Sequence, residues 1–215
     1  MIDKKRRSKI DISTWKRKEH FEFFQKMQEP YHSVCVEVDA THAFDWSRDN
    51  NRSFFLTYMY AFGCALQEVE NFRYRIENGE VYCYDFIELG TTIGRDDETF
   101  GFGLLSYDPD YNQFVENATI AIDRVRSRKG ICLDANQSLL NVVYCSTIPW
   151  LRFTSISHAR DYSYNDSIPK ITFGKCELDG EHRKMPVSIF VDHSLVDGIH
   201  IAKMIERFQY YLDCF

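Results

Sequence analysis

The stretch VSIFVDHSLVDG, residues 187–198, decides how the sequence is interpreted. Its apolar first half predicts a strand over residues 187–191. His193 follows the end of this strand, and the pair Asp197-Gly198 comes four residues later, where a helix is predicted to begin. A histidine on such a turn is rigidly placed, the aspartate can pair with a cation, and the glycine leaves room for close backbone approach. The spacing alone fits either an ordinary turn histidine or a positioned chemical group.

Short strands and longer helices alternate irregularly on the N-terminal side of this stretch. The other predicted strands cover residues 34–38, 72–76, 81–84, 91–93, 102–106, 142–146, 153–156 and 170–176. Helices are predicted over residues 14–27, 54–69, 111–128 and 198–212. Asn78-Gly79 predicts a tight hairpin because both residues tolerate positive φ. The absence of regular βαβ units predicts a mixed α/β class. Because no linker or internal repeat divides the sequence, we expect a single domain over residues 1–215.

Composition excludes several classes of protein. The formal net charge of −6 over 215 residues argues against a nucleic-acid-binding protein, which would need a surplus of positive charge. The longest apolar stretch, residues 54–66, is too short to span a bilayer, and no apolar signal segment follows the basic N-terminus. Seven cysteines are dispersed without a CxxC pair. This pattern predicts reduced thiols in a cytoplasmic protein and no metal site.

The segment HSLVDG, residues 193–198, matches the HxxxDG signature of CoA-dependent acyltransferases, a group that includes the chloramphenicol acetyltransferases. Further matches to that family keep its order and spacing: Trp15 to Phe21, Phe72-Arg73, Gly79-Glu80, Asp85, Glu98 to Phe100, Pro149-Trp150, Phe153 to Ser155, Pro169, Ile171-Thr172 and Lys175. The chain therefore resembles chloramphenicol acetyltransferase over residues 15–212. The resemblance implies a two-layer α/β (α+β) sandwich, with a mixed sheet carrying helices on one face. It also implies a homotrimer whose active sites lie between subunits.

The resemblance also implies roles for individual residues. His193 takes the position of the general base that removes a proton from a substrate hydroxyl. Ser155 takes the position of the oxyanion donor and Thr172 that of a residue holding an ordered water. Arg17 and Asp197 match a structural ion pair.

Substrate positions follow from the same resemblance. Phe23, Phe24 and Phe100 match aromatic residues of the acceptor pocket, and Lys175 matches a basic residue near the CoA nucleotide. Acetyl-CoA is then the co-substrate, chloramphenicol or a similar alcohol the acceptor, and no cofactor is permanently bound.

Two departures from the family pattern leave alternatives open. Asp192 replaces a histidine that usually precedes the base, and we expect its side chain to point to the opposite face of the strand. The segment around Ser167 is more polar than in the family, with His158, Arg160 and Asp161 nearby. The acceptor could therefore be a different alcohol, whereas a lipoyl-type thiol is disfavoured because no lipoyl or subunit-binding segment precedes the domain. A non-catalytic binding or assembly protein is a third alternative, and the intact set of predicted site residues argues against it.

Overall fold

A computed structural model describes residues 6–133, 139–161 and 166–215. Its larger sheet has seven strands: β2 (Tyr31–Asp39), β5 (Glu88–Gly94), β6 (Phe100–Leu105), β7 (Val142–Thr147), β8 (Lys170–Phe173), β9 (Glu177–Asp179) and β10 (His182–Asp192). The strand order is β2-β10-β8-β7-β5-β6, with β9 pairing the start of β10. The pairs β5–β7 and β7–β8 are parallel and all other pairs are antiparallel. The sheet is therefore mixed, as predicted.

A smaller sheet is built from β1 (Arg7–Lys9), β3 (Tyr74–Glu77) and β4 (Glu80–Tyr84), in the order β1-β4-β3. The turn between β3 and β4 consists of Asn78 and Gly79, with φ angles of 52° and 80°. These left-handed conformations are the ones that a two-residue hairpin requires. The hairpin prediction is confirmed.

The described part of the chain also has five α-helices: α1 (Lys18–Phe24), α2 (Thr41–Asp49), α3 (Phe54–Glu68), α4 (Tyr111–Arg126) and α5 (Gly198–Asp213). The helix α3 begins where Ser53 Oγ accepts a hydrogen bond from the Leu56 N–H at 3.4 Å. In the same way, the Asp110 carboxylate caps α4 at the Gln113 N–H, 2.9 Å away. Both caps satisfy backbone donors that a helix start leaves free. Within the described residues, no helix is long and apolar enough to cross a membrane.

The core lies between the larger sheet and the helices. Phe173 of β8 packs against Phe62 of α3 at 5.4 Å and against Phe208 of α5 at 5.9 Å between ring centroids. Val187 of β10 lies directly across from Phe173 and is also fully buried. Because neighbouring residues of a strand point to opposite faces, Ser188, the next residue along β10, points away from the helices. The larger sheet therefore has a helix-covered face and a second face.

Several predicted elements differ from the structure. The first helix begins at Lys18 rather than near residue 14, because the Asp11 carboxylate accepts hydrogen bonds from Ser13 N and Oγ at 2.9 and 2.6 Å and turns the chain there. The predicted strand over residues 153–156 is irregular. It has no place beside β7, since β5 and β8 already pair with both edges of that strand. The strand predicted over residues 72–76 begins only at Tyr74, because Glu70–Arg73 form a short 3₁₀ helix. The helix α2 and the short strands β1 and β9 were not predicted.

Candidate active site

The turn between β10 and α5 is closed by backbone hydrogen bonds. The N–H of His193 donates to the carbonyl oxygen of Pro30 at 2.9 Å, which ties the turn to the segment just before β2. The Val196 N–H donates to the carbonyl oxygen of Asp192 at 3.0 Å. These two hydrogen bonds fix the backbone of the turn around His193 independently of its side chain.

An ion pair between Arg17 and Asp197 lies next to His193. Arg17 Nη2 donates to Asp197 Oδ1 at 2.8 Å, and Nη1 donates to Oδ2, so the contact is bidentate. Nη2 also donates to the backbone carbonyl oxygen of His193 at 3.2 Å. The two side chains are 12% and 27% exposed. The hydrogen bond from Arg17, followed by its charge, lowers the pKa of Asp197 to about 2. The structure thus brings Arg17 and Asp197 together beside His193, with the Asp197 carboxylate ionised at neutral pH.

The imidazole ring of His193 is stacked between two other rings. Phe24, the last residue of α1, lies with its ring centroid 4.1 Å away and at an angle of 8°. His32 of β2 also lies 4.1 Å away, at an angle of 27°. Two rings that both stack at this distance must occupy opposite faces of the ring between them. The side chain of His193 is therefore held in one orientation by Phe24 and His32.

The two ring nitrogens of His193 have different surroundings. Nδ1 is buried and lies 3.2 Å from Asp197 Oδ1, although no aligned hydrogen bond joins it to any described residue. Nε2 belongs to the part of the ring that solvent reaches, since the side chain is 32% exposed and Nδ1 is covered. A proton on Nδ1, next to the carboxylate, leaves a lone pair on Nε2. The site can then accept a proton at Nε2.

Asp192 points away from the helices, on the same face as Phe190 and Ser188. Its Oδ1 accepts hydrogen bonds from Ser194 N at 2.8 Å and from Ser194 Oγ at 2.6 Å. Its Oδ2 is buried and has no hydrogen-bond partner among the described residues. Burial raises the pKa of Asp192, although the hydrogen bonds from Ser194 act in the opposite direction. The carboxylate is thus engaged by the turn itself rather than by the imidazole ring.

A row of hydroxyl side chains crosses the second face of the sheet. Thr172 of β8 lies directly beside Ser146 of β7 on one side and Ser188 of β10 on the other. Residues paired across strands share a face, so all three hydroxyl groups lie on the same face. Thr172 Oγ1 is buried and has no hydrogen-bond partner among the described residues. A buried hydroxyl without a partner is costly, which marks this row as a place where a further polar group belongs.

Ser155 is not part of this row. It lies exposed in the irregular segment that follows β7, whereas Ser146 occupies the position beside Thr172. The structure therefore places Ser155 away from Thr172, and Ser146 is the serine of β7 that lies beside it. Sequence reasoning missed Ser146 because a serine within a predicted strand carries no signal of its own. Only the register between β7 and β8 reveals it.

His193 and the hydroxyl row do not meet within one chain. Thr172 is paired with Ser188, and His193 follows Ser188 by five residues along an extended strand. At about 3.3 Å per residue, this places Thr172 roughly 16 Å from His193 along β10. A single chain therefore carries two groups of polar residues, one at the end of the sheet and one in its middle.

The remaining predicted site residues lie in different places. Phe23 is 57% exposed and packs edge-on against Phe24 at 5.2 Å. Phe100, 49% exposed, begins β6 at the opposite edge of the sheet. Four strand spacings, about 19 Å, separate β6 from β10. Lys175 follows β8 with its side chain partly exposed and paired with Glu177. Only Phe24 contacts the imidazole ring among these predicted substrate and CoA positions.

Comparisons with known proteins agree on one family. A family model described as chloramphenicol acetyltransferase matches residues 6–209. A chloramphenicol acetyltransferase of Proteus mirabilis is 29% identical over 205 residues, which cover 95% of this chain and 94% of that protein. Chloramphenicol acetyltransferase 3 of Escherichia coli is 27% identical over 207 residues, which cover 94% of this chain and 95% of that protein.

Solved structures give the same result. A chloramphenicol acetyltransferase structure superposes with a TM-score of 0.89 at 30% identity, and the match covers 96% of this chain and 100% of that one. A dihydrolipoamide acetyltransferase of Azotobacter vinelandii superposes with a TM-score of 0.64 at 16% identity, covering 91% of this chain and 86% of that one. At so low an identity, the second likeness concerns the fold alone.

Proposed function

Because the chain belongs to the chloramphenicol acetyltransferase family and is an acyltransferase, we propose that it transfers an acetyl group from acetyl-CoA to a hydroxyl group of chloramphenicol or a similar alcohol. The family membership inferred from the sequence is confirmed. The observation that carries the finer proposal is the imidazole ring of His193, which is fixed between two rings with Nε2 accessible.

In the proposed reaction His193 is the general base. Nε2 takes the proton of the acceptor hydroxyl while its oxygen attacks the carbonyl carbon of the thioester, so a C–O bond forms and the carbonyl oxygen becomes an oxyanion. The tetrahedral intermediate then expels the CoA sulfur, which receives the proton from the imidazolium. The Asp197 carboxylate lies next to Nδ1 of the ring, and Arg17 keeps that carboxylate ionised and in place. No covalent acyl-enzyme forms in this scheme.

The hydroxyl row is proposed to stabilise the intermediate. Ser146 donates a hydrogen bond to the oxyanion, and Thr172 holds an ordered water next to it. The buried, unpartnered Oγ1 of Thr172 supports this role, because a bound water or substrate would satisfy it. The position of Ser146 directly beside Thr172 makes it the natural donor.

The two groups of residues act together only if they come from different chains. About 16 Å separates Thr172 from His193 within one chain, which is too far for one substrate hydroxyl and its oxyanion. We therefore propose that His193 of one copy faces Ser146 and Thr172 of a neighbouring copy in a homotrimer. The exposed Phe23 and Phe100 would then line the acceptor pocket with Phe24, and Lys175 would contact the phosphates of CoA. Light scattering should give about three times the chain mass of 25.4 kDa, and a monomer at micromolar concentration would contradict the shared site.

Polar residues beside the hydroxyl row favour a second candidate, transfer to an alcohol other than chloramphenicol. Lys170 lies two residues before Thr172 on the same face of β8 and is paired with Asp166. His158 packs against Phe190 at 5.2 Å, and its Nε2 is buried without a partner among the described residues. Burial, followed by the charge of Lys170, lowers the pKa of His158, so this ring is neutral at pH 7. Such a surface suits an acceptor with more hydrogen-bonding groups than an aromatic antibiotic.

A thiol-release assay separates the two candidates. Free CoA is measured with acetyl-CoA and either chloramphenicol or a panel of alcohols of increasing polarity. We expect measurable transfer to chloramphenicol with weak binding. Transfer to chloramphenicol at the hydrolysis background, together with robust transfer to another alcohol, would favour the second candidate. Hydrolysis alone with every alcohol would contradict both.

A further inference from the structure

A second histidine contacts the proposed base. His32 lies in β2 directly across from Val191, next to the end of β10, and its side chain is half-buried. Its ring stacks on His193 at 4.1 Å, on the face opposite Phe24. An aliphatic or aromatic residue would fill the same space without any charge. The contact of the ring and the hydrogen bonding of its nitrogens can therefore be considered separately.

A hydrogen bond fixes the protonation pattern of His32. Its Nε2 lies 3.0 Å from the carbonyl oxygen of Val196. A carbonyl oxygen can only accept, so Nε2 carries a hydrogen and, in the neutral ring, Nδ1 carries none. Because Val196 belongs to the turn that contains His193, this bond attaches the second ring to the same turn. The ring of His32 thus cannot rotate without losing its partner.

His32 is neutral at the pH at which His193 acts as a base, because its pKa is lowered. Burial is the largest effect and lowers the pKa of His32, while the bond to Val196 raises it. Two charged groups add smaller effects: a positive charge on His193 lowers this pKa further, and the Asp197 carboxylate raises it. Two imidazolium rings 4.1 Å apart would repel each other strongly. The proton that His193 accepts in each reaction cycle is therefore accommodated only while His32 carries no charge.

We infer that His32 is a positioning residue for His193, whose neutral ring holds the base against Phe24 in the orientation that presents Nε2 to the substrate. The inference rests on the proposed role of His193 as the base. The ring of His32 supplies the contact, and its bond to Val196 keeps that ring in place. If the His193 ring loses this orientation, the rate of the chemical step should fall while the binding of acetyl-CoA is unchanged.

Three substitutions separate the ring from the hydrogen bond. His32→Phe keeps a stacked ring and loses the donor to Val196, His32→Asn keeps a donor and loses the ring, and His32→Ala loses both. We expect kcat to fall about 10-fold in His32→Ala and His32→Asn, with KM for acetyl-CoA unchanged, and to stay within about threefold of the parent in His32→Phe. His42→Ala, which changes an exposed histidine of α2, is the matched control. A folded His32→Ala protein with parental kcat would overturn the inference, as would an Asn variant that outperforms the Phe variant.

A titration by nuclear magnetic resonance tests the pair without relying on activity. The nitrogen shifts of His32 should show a hydrogen on Nε2. In His193→Gln the pKa of His32 should rise, because the neighbouring positive charge is gone. An unchanged titration of His32 would show that the rings are not coupled and would overturn the inference. If the titration behaves as expected but no alcohol is acetylated, the proposed function fails while the ring pair stands.

Discussion

The end of β10 and the middle of the same sheet are both polar, but they differ in whether their polar groups find partners within one chain. At the end of β10, the bidentate pair of Arg17 and Asp197 and the stacked rings fix His193 completely from within one chain. In the middle of the sheet, Thr172 Oγ1 is buried with no hydrogen-bond partner in the described part of the chain. The polar groups of the first region thus find their partners within one chain, whereas we propose that the second region gains its partners from a substrate or a second copy.

Removal of the base should have the largest effect. His193→Ala removes the imidazole ring that stacks between Phe24 and His32, and with it the proton-accepting Nε2. Turnover should therefore fall about 10²- to 10⁴-fold. KM for acetyl-CoA should change little, because the ring acts mainly in the transition state. Steady-state kinetics check both values, and a melting curve confirms that the variant is folded. Near-parental turnover of a folded variant would contradict the assignment of His193 as the general base.

Removal of the hydroxyl next to Thr172 should come second. Ser146→Ala should lower turnover about 10²- to 10³-fold, the usual effect of losing one oxyanion donor. Ser155→Ala is the matched control and should stay within about twofold of the parent, since Ser155 is exposed in an irregular segment. The reverse pattern, an impaired Ser155→Ala enzyme and a normal Ser146→Ala enzyme, would return the role to Ser155.

Loss of the ion pair should affect stability and turnover together. Arg17→Ala leaves Asp197 charged beside His193, and we expect the free energy of unfolding at pH 7 to fall by about 2–3 kcal/mol, below the range for fully buried pairs because Asp197 retains some exposure. The exposed pair of Arg152 and Glu37 supplies the control, since Arg152→Ala should cost less than about 1 kcal/mol. Urea unfolding of both variants, with their activity measured in parallel, tests this prediction. Equal stability of the two variants would contradict a structural role for Arg17.

The same pair predicts a dependence of stability on pH. The pKa of Asp197 is lowered from its usual 3.8 to about 2. Its contribution to stability is therefore present above pH 4 and is lost as the pH falls towards 2, because the unfolded chain then binds the proton more readily than the folded one. In Arg17→Ala this acid-dependent part of the stability should be much reduced, which urea unfolding between pH 2 and 5 would measure.

The smallest effect is expected at Lys175. Its side chain is partly exposed and already paired with Glu177. Lys175→Ala should raise KM for acetyl-CoA about two- to threefold, and the difference should shrink in high salt. Lys9→Ala, an exposed lysine of the smaller sheet paired with Glu80, is the control and should leave KM unchanged. Equal KM values for both variants would remove Lys175 from the CoA site.

Local patterns predicted the elements at the end of β10 well, because the information lies within a few residues. The apolar stretch before His193 and the Asp197-Gly198 pair predict the strand, turn and helix start directly. The hairpin at Asn78-Gly79 is equally local. The hydroxyl row is different. Ser146, Thr172 and Ser188 come from three separate strands, so only the register between strands brings them together.

Tertiary contacts also explain the errors in the predicted elements. The pattern over residues 153–156 suits a strand, but both edges of β7 are already occupied. The start of α1 was placed too early because Asp11, outside the apolar pattern, turns the chain. The role of His32 could not be predicted either, since a histidine in a strand gives no indication of which ring it will contact.

The central claim is that the base and the oxyanion donor of one active site come from two different chains, and a mixing experiment tests it most directly. His193→Ala and Ser146→Ala chains, each almost inactive alone, are unfolded together in equal amounts and refolded. In a ring of copies assembled at random, about one interface in four pairs an intact His193 with an intact Ser146 of its neighbour, so about a quarter of the parental activity should return. As a control, the double variant refolded with either single variant should stay inactive, because no chain in that mixture carries the residue that the single variant lacks. If the mixture of single variants stays as inactive as its components while the refolded parent regains its activity, both residues act within one chain and the shared-site account is wrong.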